Sequence, residues 1–408
     1  MNPHEARKDF PSLNRSLDGN PLVFFDGAAG TQVPRQVIEA VSHYYESSNA
    51  NTGGSFVTAV ETDAMIRDTR EHLAELFNAS SWKTISFGQN MTTLTFLLSR
   101  ALVRTMSRGD EIIITQLDHE ANRGPWLALR EDGIVVHEAA MRADGRLDYE
   151  DLEKKITSRT KLIAVGMASN AIGTVNDVAR IREMSRRNGA MLFLDAVHYA
   201  PHFTIDVEKL DPDFLICSAY KFYGPHVGIL YCREGLLDTL ETSRLVTAHQ
   251  EAPERIETGT LNHAAIAGVR AAVQYIASWG SGDALRERLV SAMAGIGAHE
   301  RGLALRYWEG LGGIAQAERW GPDFSDLQRA PTVSITLRDL TADAVAEKLA
   351  ARGINVWSGH FYARSAVEKL GLAARGGLVR SGFFMYNTET EVDRLLEEIR
   401  RLIAAGRV

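Results

Sequence analysis

Cysteine is nearly absent from this chain: two residues in 408, Cys217 and Cys232, each inside an apolar stretch. That excludes a disulfide scaffold and a cysteine-rich metal site, and it fits a reducing, intracellular setting. Long apolar runs are missing too. No stretch approaches the roughly 20 uninterrupted apolar residues that a bilayer-spanning helix needs. The opening MNPHEARKDFPSL lacks the apolar segment of a secretory leader, so a cytoplasmic location without membrane attachment is expected. Charge of one sign is scarce: 45 Lys and Arg stand against 52 Asp and Glu, a net charge of −7. So mild a balance offers no general attraction to nucleic acid or acidic lipid, and small-molecule partners are expected instead. There is no internal repeat, no low-complexity tract, no HExxH, no Walker A motif and no GxGxxG after a strand. His198 and His202 lie four apart, but Pro201 intervenes and no acidic ligand set accompanies them, so no metal is assigned.

What is present is α/β alternation. Apolar, β-rich runs recur at KTISF (from Lys83), EIIIT (Glu111), GIVVHE (Gly133), KLIAV (Lys161), MLFLD (Met191), DFLICS (Asp213) and VGILYC (Val227). Segments of helical spacing lie between them, such as Met65, Thr69, Leu73, Leu76 and Phe77. Strands apolar on both faces and separated by helices predict a mostly parallel sheet covered on both sides. The length exceeds what one core usually serves. After about Ala264 the pattern changes to a long helical stretch through Trp308, TVSITL, a helix over Thr341–Ala351, a strand at INVW and a last helix over Thr388–Ala405, which predicts a second, smaller α+β unit. The bridge LGGIAQAERWGPDFSDLQRAP reads as surface loop or irregular strand.

Two residues are oddly placed. Asp195 closes the strand MLFLD and Lys221 follows the strand DFLICS, at the strand ends where open α/β sheets gather their sites. Taken singly, the first reads as a helix cap and the second as a lysine reaching solvent. Together they suit pyridoxal phosphate, which needs a lysine for covalent attachment and a carboxylate to keep its pyridine nitrogen protonated. A phosphate cradle is at hand in SFGQNMTTLTF: Gly88 allows a tight turn, and Met91, Thr92 and Thr93 open a helix whose free N–H groups favour anions. Ser218 and Tyr220 add hydroxyls beside Lys221.

The set TQLDHEANRGPW, ASNAIGT, DAVHYAPH, SAYKFYGPHVGILY, ETGTLNH and VRSGF, in this order, resembles the class V aminotransferase superfamily of fold-type I pyridoxal phosphate enzymes, and within it the cysteine desulfurase and selenocysteine lyase branch. The resemblance runs from FFDGAAG to the last helix. It implies an α/β large domain over 26–270 with a mostly parallel seven-stranded sheet, a small α+β domain over 271–408, and an N-terminal arm over 1–25 joining the small domain. It implies that Lys221 carries the cofactor and then shuttles a proton, that Asp195 holds the pyridine N–H, and that His119 stacks on the ring. His198, where the branch commonly has Gln, would bond the phenolic oxygen, and Asn170 would touch that oxygen and the substrate carboxylate. Thr92, Ser218 and the Met91 N–H would hold the phosphate, with Tyr220 where relatives have His. Thr260 would reach the partner's phosphate in a homodimer. Arg380 would clamp the substrate α-carboxylate with its planar fork, and Ala28, Ala29 and Gly30 would line the substrate side.

One element of the branch is missing. A desulfurase attacks the substrate sulfur with a cysteine on a small-domain loop, and the matching stretch INVWSGHFYARSAVEKLG has none. Tyr362 aligns with that position, and a phenol, with a pKa of about 10, is a poor sulfur nucleophile. Cys217 and Cys232 read as small buried hydrophobes. The expectation is an enzyme acting on a small amino acid, desulfurase-like in architecture but not persulfide-forming, with Cβ–S or Cβ–Se lysis by β-elimination as its reaction. Epimerisation, decarboxylation or aldol chemistry and transamination are the alternatives, and a cofactor-binding relic is the non-catalytic one. His360, Phe361, Tyr362 and Arg364 are the candidates for reading the substrate side chain.

Overall fold

The computed structural model describes residues 1–325 and 328–405. Seven strands form the main sheet among these residues: β1 (Ile85–Gly88), β2 (Glu111–Thr115), β3 (Val135–Ala139), β4 (Thr160–Gly166), β5 (Met191–Asp195), β6 (Phe214–Ser218) and β7 (Gly228–Cys232). They are ordered β1-β7-β6-β5-β4-β2-β3. β7 runs antiparallel to both neighbours and the other pairs are parallel. All seven expected strands are present, and the continuous apolar runs have a simple cause. Successive residues feed opposite faces: Ile113, Ile163, Leu192, Leu194 and Leu215 enter one core, while Ile112, Ile114, Leu162, Phe193 and Phe214 enter the other.

A smaller antiparallel sheet follows, built from β8 (Ala317–Trp320), β9 (Thr332–Leu337), β10 (Trp357–Gly359) and β11 (Leu378–Gly382) in the order β8-β9-β11-β10. β8 supplies regular structure within the bridge expected to be irregular. The expected strand INVW divides. Ile354–Asn355 pairs in parallel with Val23–Phe24, and Trp357 begins β10 against β11. Thr341 is not the first residue of its helix but the cap, its side chain accepting from the Ala344 N–H.

Three features bring the chemistry together. Asp195 and Ser218 end adjacent parallel strands, so residues far apart in sequence meet at one sheet edge. Helix Met91–Val103 begins at Asn90, whose side chain accepts from the Thr93 N–H and fixes where its free N–H groups point. Helix Leu285–Gly312 spans both parts of the chain: Leu289, Ala292, Met293 and Ile296 pack in the main core, whereas Leu303, Ala304, Tyr307 and Leu311 pack with the small sheet. Among the described residues no helix is long and apolar enough to cross a membrane.

Candidate active site

The carboxyl ends of β5 and β6, the start of helix Met91–Val103 and the segment around His119 enclose a cavity of about 700 Å³. Eleven of the residues singled out from the sequence line it: Ala29, Met91, Thr92, Thr93, His119, Asn170, Asp195, His198, Ser218, Tyr220 and Lys221. Lys221 is buried, and its Nζ donates to the Ala28 carbonyl at 2.6 Å. Burial, then the nearby Arg380 charge, push the amine down to about 7, against a smaller upward pull from Asp195. Asp195 is driven the opposite way, up to about 7, by burial, with one oxygen accepting from the Val197 N–H at 2.9 Å and the Asp118 charge adding to the rise. A buried carboxylate that stands this high lacks a sufficient cation of its own.

His119 caps a short turn, its Nδ1 accepting from the Ala121 N–H at 3.0 Å. Burial first, then the Lys221 and Arg380 charges, hold it at about 4, so the ring is neutral with its proton on Nε2. His198 is bonded through Nε2 to the Thr332 hydroxyl at 3.0 Å, and its Nδ1 is buried without a partner. Ser218 Oγ accepts from the Met91 N–H at 2.9 Å, which joins β6 to the helix start.

Arg380 stands behind this wall. It is 3% exposed, donates from Nη1 to the Asn170 carbonyl at 2.9 Å, and lies 4.2 Å from the centre of the Phe361 ring. Burial lowers it to about 9, and it stays charged at neutral pH. Tyr362 is not among the residues lining the cavity; its ring lies 5.5 Å from His119 and it is 67% exposed. His360 is exposed next to it, accepting through Nδ1 from the Tyr362 N–H at 3.1 Å. Asn170 is turned toward this loop, donating to the Phe361 carbonyl at 2.8 Å. Thr260 is not brought to this cavity; it lines a separate one with Asn51, Arg70, His249 and Glu257.

Residues 23–395 match the aminotransferase class-V family. The chain belongs to the class V aminotransferase family. Curated relatives of this class V chain include a probable cysteine desulfurase of Halalkalibacterium halodurans, 31% identical over 98% of both chains. Another, from Streptomyces coelicolor, is 33% identical over 97% of this chain and 96% of its own. Among solved structures, the apo cysteine desulfurase of Thermococcus onnurineus superposes with a TM-score of 0.88 at 30% identity, covering 99% of each chain. An Escherichia coli cysteine desulfurase in an S-sulfonic acid form gives 0.86 at 27% identity, again covering 99% of each. The class V chain is therefore a fold-type I, pyridoxal phosphate-dependent enzyme with desulfurase-like architecture. Its cavity fits that cofactor. The raised Asp195 suits a protonated ring nitrogen, the lowered Lys221 suits covalent attachment, and the orphaned His198 Nδ1 suits an oxygen acceptor or donor on the ring. The helix start suits the phosphate.

Three groups in the class V site escaped the sequence reading. Asp118, one residue before His119, is buried and accepts from the Thr115 and Gly166 N–H groups; burial raises it to about 6. Asp26 is also pushed up to about 6 by burial, despite the neighbouring Arg380, with one oxygen unpartnered. His226 stacks on Tyr220 at 4.6 Å and 11°. Asp118 was signalled only by its position at a strand end beside a candidate histidine, Asp26 by an acid amid the apolar run VFFDGAAG.

Proposed function

We propose that this enzyme releases sulfur or selenium from the β-carbon of a small α-amino acid by β-elimination, without forming a persulfide on its own chain. For cysteine the balance is cysteine plus water giving pyruvate, ammonia and sulfide. The observation that carries the reading is where thiols are and are not. Tyr362 lies beside His119, its ring 5.5 Å away, and the segment over 354–371 contains no cysteine. Cys217 and Cys232 are buried, and burial pushes both thiols well up, out of the range of a nucleophilic thiolate.

Bound pyridoxal phosphate supplies the electron sink that accepts negative charge from Cα. The protein's share is orientation and proton transfer. Arg380 presents a planar fork to the substrate carboxylate. Lys221, already near 7, has a substantial neutral fraction at neutral pH and takes the Cα proton. His119 offers only an Nε2–H over the cavity, so it donates a hydrogen bond without adding a full positive charge. Asp195 would hold the protonated ring nitrogen, which strengthens that electron sink.

The test is product analysis with L-cysteine and L-selenocysteine. Pyruvate and sulfide, or selenide, should appear in equal amounts, and the Cys217→Ala/Cys232→Ala double variant should behave the same. Alanine as the product, with sulfur retained on the protein, overturns the reading. In the same proposal the enzyme is a cytoplasmic homodimer in which Thr260 reaches the partner's cofactor phosphate. Its place in the lining of a separate cavity, together with the exposed apolar side chains of Phe56, Val57, Leu245 and Val246, supports this. Sedimentation of the holoenzyme as a monomer would refute it.

A further inference from the structure

The loop between β10 and the helix Arg364–Lys369 is held in an unfavourable backbone conformation. Phe361 and Tyr362 are successive non-glycine residues with φ of 53° and 58°, a region that side-chain-bearing residues enter only when their surroundings enforce it. The enforcement is visible. The Phe361 carbonyl accepts from Asn170 Nδ2 at 2.8 Å, and the Tyr362 carbonyl accepts from the Glu120 N–H at 2.7 Å. The Tyr362 N–H donates to His360 Nδ1 at 3.1 Å.

The bonds fix where the Phe361 ring goes: over the Arg380 guanidinium, 4.2 Å from carbon to ring centre. Asn170 completes a closed triangle, since its side chain holds Phe361 while its carbonyl accepts from Arg380 Nη1 at 2.9 Å. Arg380 has five N–H groups. Among the described residues its side chain makes one hydrogen bond, to the Asn170 carbonyl. An arginine in this condition has donors to spare and a plane that one aromatic face and one carbonyl fix.

We propose that Phe361 is the positioning residue of the carboxylate clamp. By stacking, it sets the plane in which Arg380 receives an α-carboxylate, and the strained, doubly anchored loop exists to deliver that ring. The role lies at the carboxylate end of the substrate, not at its side chain. The inference rests on the reading of Arg380 as the clamp, but not on which bond the enzyme breaks.

The experiment titrates holoenzyme with L-alanine, which has no β-leaving group, and with L-cysteine, following the visible cofactor band. Phe361→Leu keeps apolar volume and backbone strain but removes the π face. It should raise the half-saturating L-alanine concentration about tenfold, raise KM for cysteine similarly, and change kcat much less. Cofactor content and the thermal midpoint should match those of the unaltered protein. Phe361→Tyr keeps the ring and should restore the original half-saturation. Unchanged half-saturation in Phe361→Leu, or a Phe361→Tyr variant as weak as Phe361→Leu, overturns the proposal. If Arg380→Ala also leaves the titration unchanged, the clamp reading itself has failed. A cofactor band that neither amino acid moves overturns both.

Discussion

Replacing Asp195 with Asn should make the cofactor-free protein more stable, by an amount that grows with pH. Asp195 is buried, and its carboxyl is raised from 3.8 to about 7. The sign follows from proton counting. Between those two values the folded chain binds more protons than the unfolded chain, so stability falls as pH rises through the window. The full deficit, reached above pH 7, is on the order of 4 kcal/mol at about 1.4 kcal/mol per pH unit. An asparagine keeps an oxygen for the Val197 N–H and has nothing to ionise. The stability difference between variant and parent should therefore widen by about 2.5 kcal/mol from pH 5 to pH 8. For a chain of 408 residues, that is about 3 °C in the thermal midpoint. Calorimetry of the cofactor-free proteins across this pH range reads it directly, since the other titrating groups are common to both. Adding pyridoxal phosphate should reverse the ranking, because asparagine cannot balance a protonated pyridine nitrogen. Parallel pH profiles, or an Asp195→Asn variant that is less stable throughout, would refute the reasoning.

Two further predictions concern the cofactor. Lys221→Ala should abolish the borohydride-reducible linkage to pyridoxal phosphate, and mass spectrometry of reduced, digested protein checks it; a reduced adduct elsewhere on the chain removes Lys221 from its role. Gly228→Ala should weaken cofactor binding about tenfold, since a Cβ there would lie 2.5 Å from the Asn90 backbone carbonyl carbon and push the helix start away from β7. Equilibrium dialysis against pyridoxal phosphate measures it, and unaltered affinity would show that the helix start does not bear the phosphate.

The main sheet was legible because burial on both faces leaves a mark that needs no partner: Ile112, Ile113 and Ile114 are all apolar although they feed different cores. The link between Asp195 and Lys221 was legible because each follows an apolar strand, and those strands are neighbours. What stayed hidden depends on pairings across long stretches of chain. Nothing local in INVW says that its first half belongs with Val23–Phe24 and its second with β11. Nor does anything local in GHFYA say that two aromatic residues will adopt left-handed backbone, because the bonds that enforce it come from Asn170 and Glu120. Buried acids are similarly opaque. Glu300 reads as a helix-surface residue, yet it is fully buried and paired with His202 at 2.8 Å, a partner 98 positions away.

The helix Leu285–Gly312 is about 42 Å of continuous backbone, seated at one end in the main core and at the other under the small sheet. With apolar side chains committed at both ends, it ties two hydrophobic cores into one continuous body, so a cavity opened under either end, as by Met293→Ala or Leu303→Ala, loosens the anchorage of both.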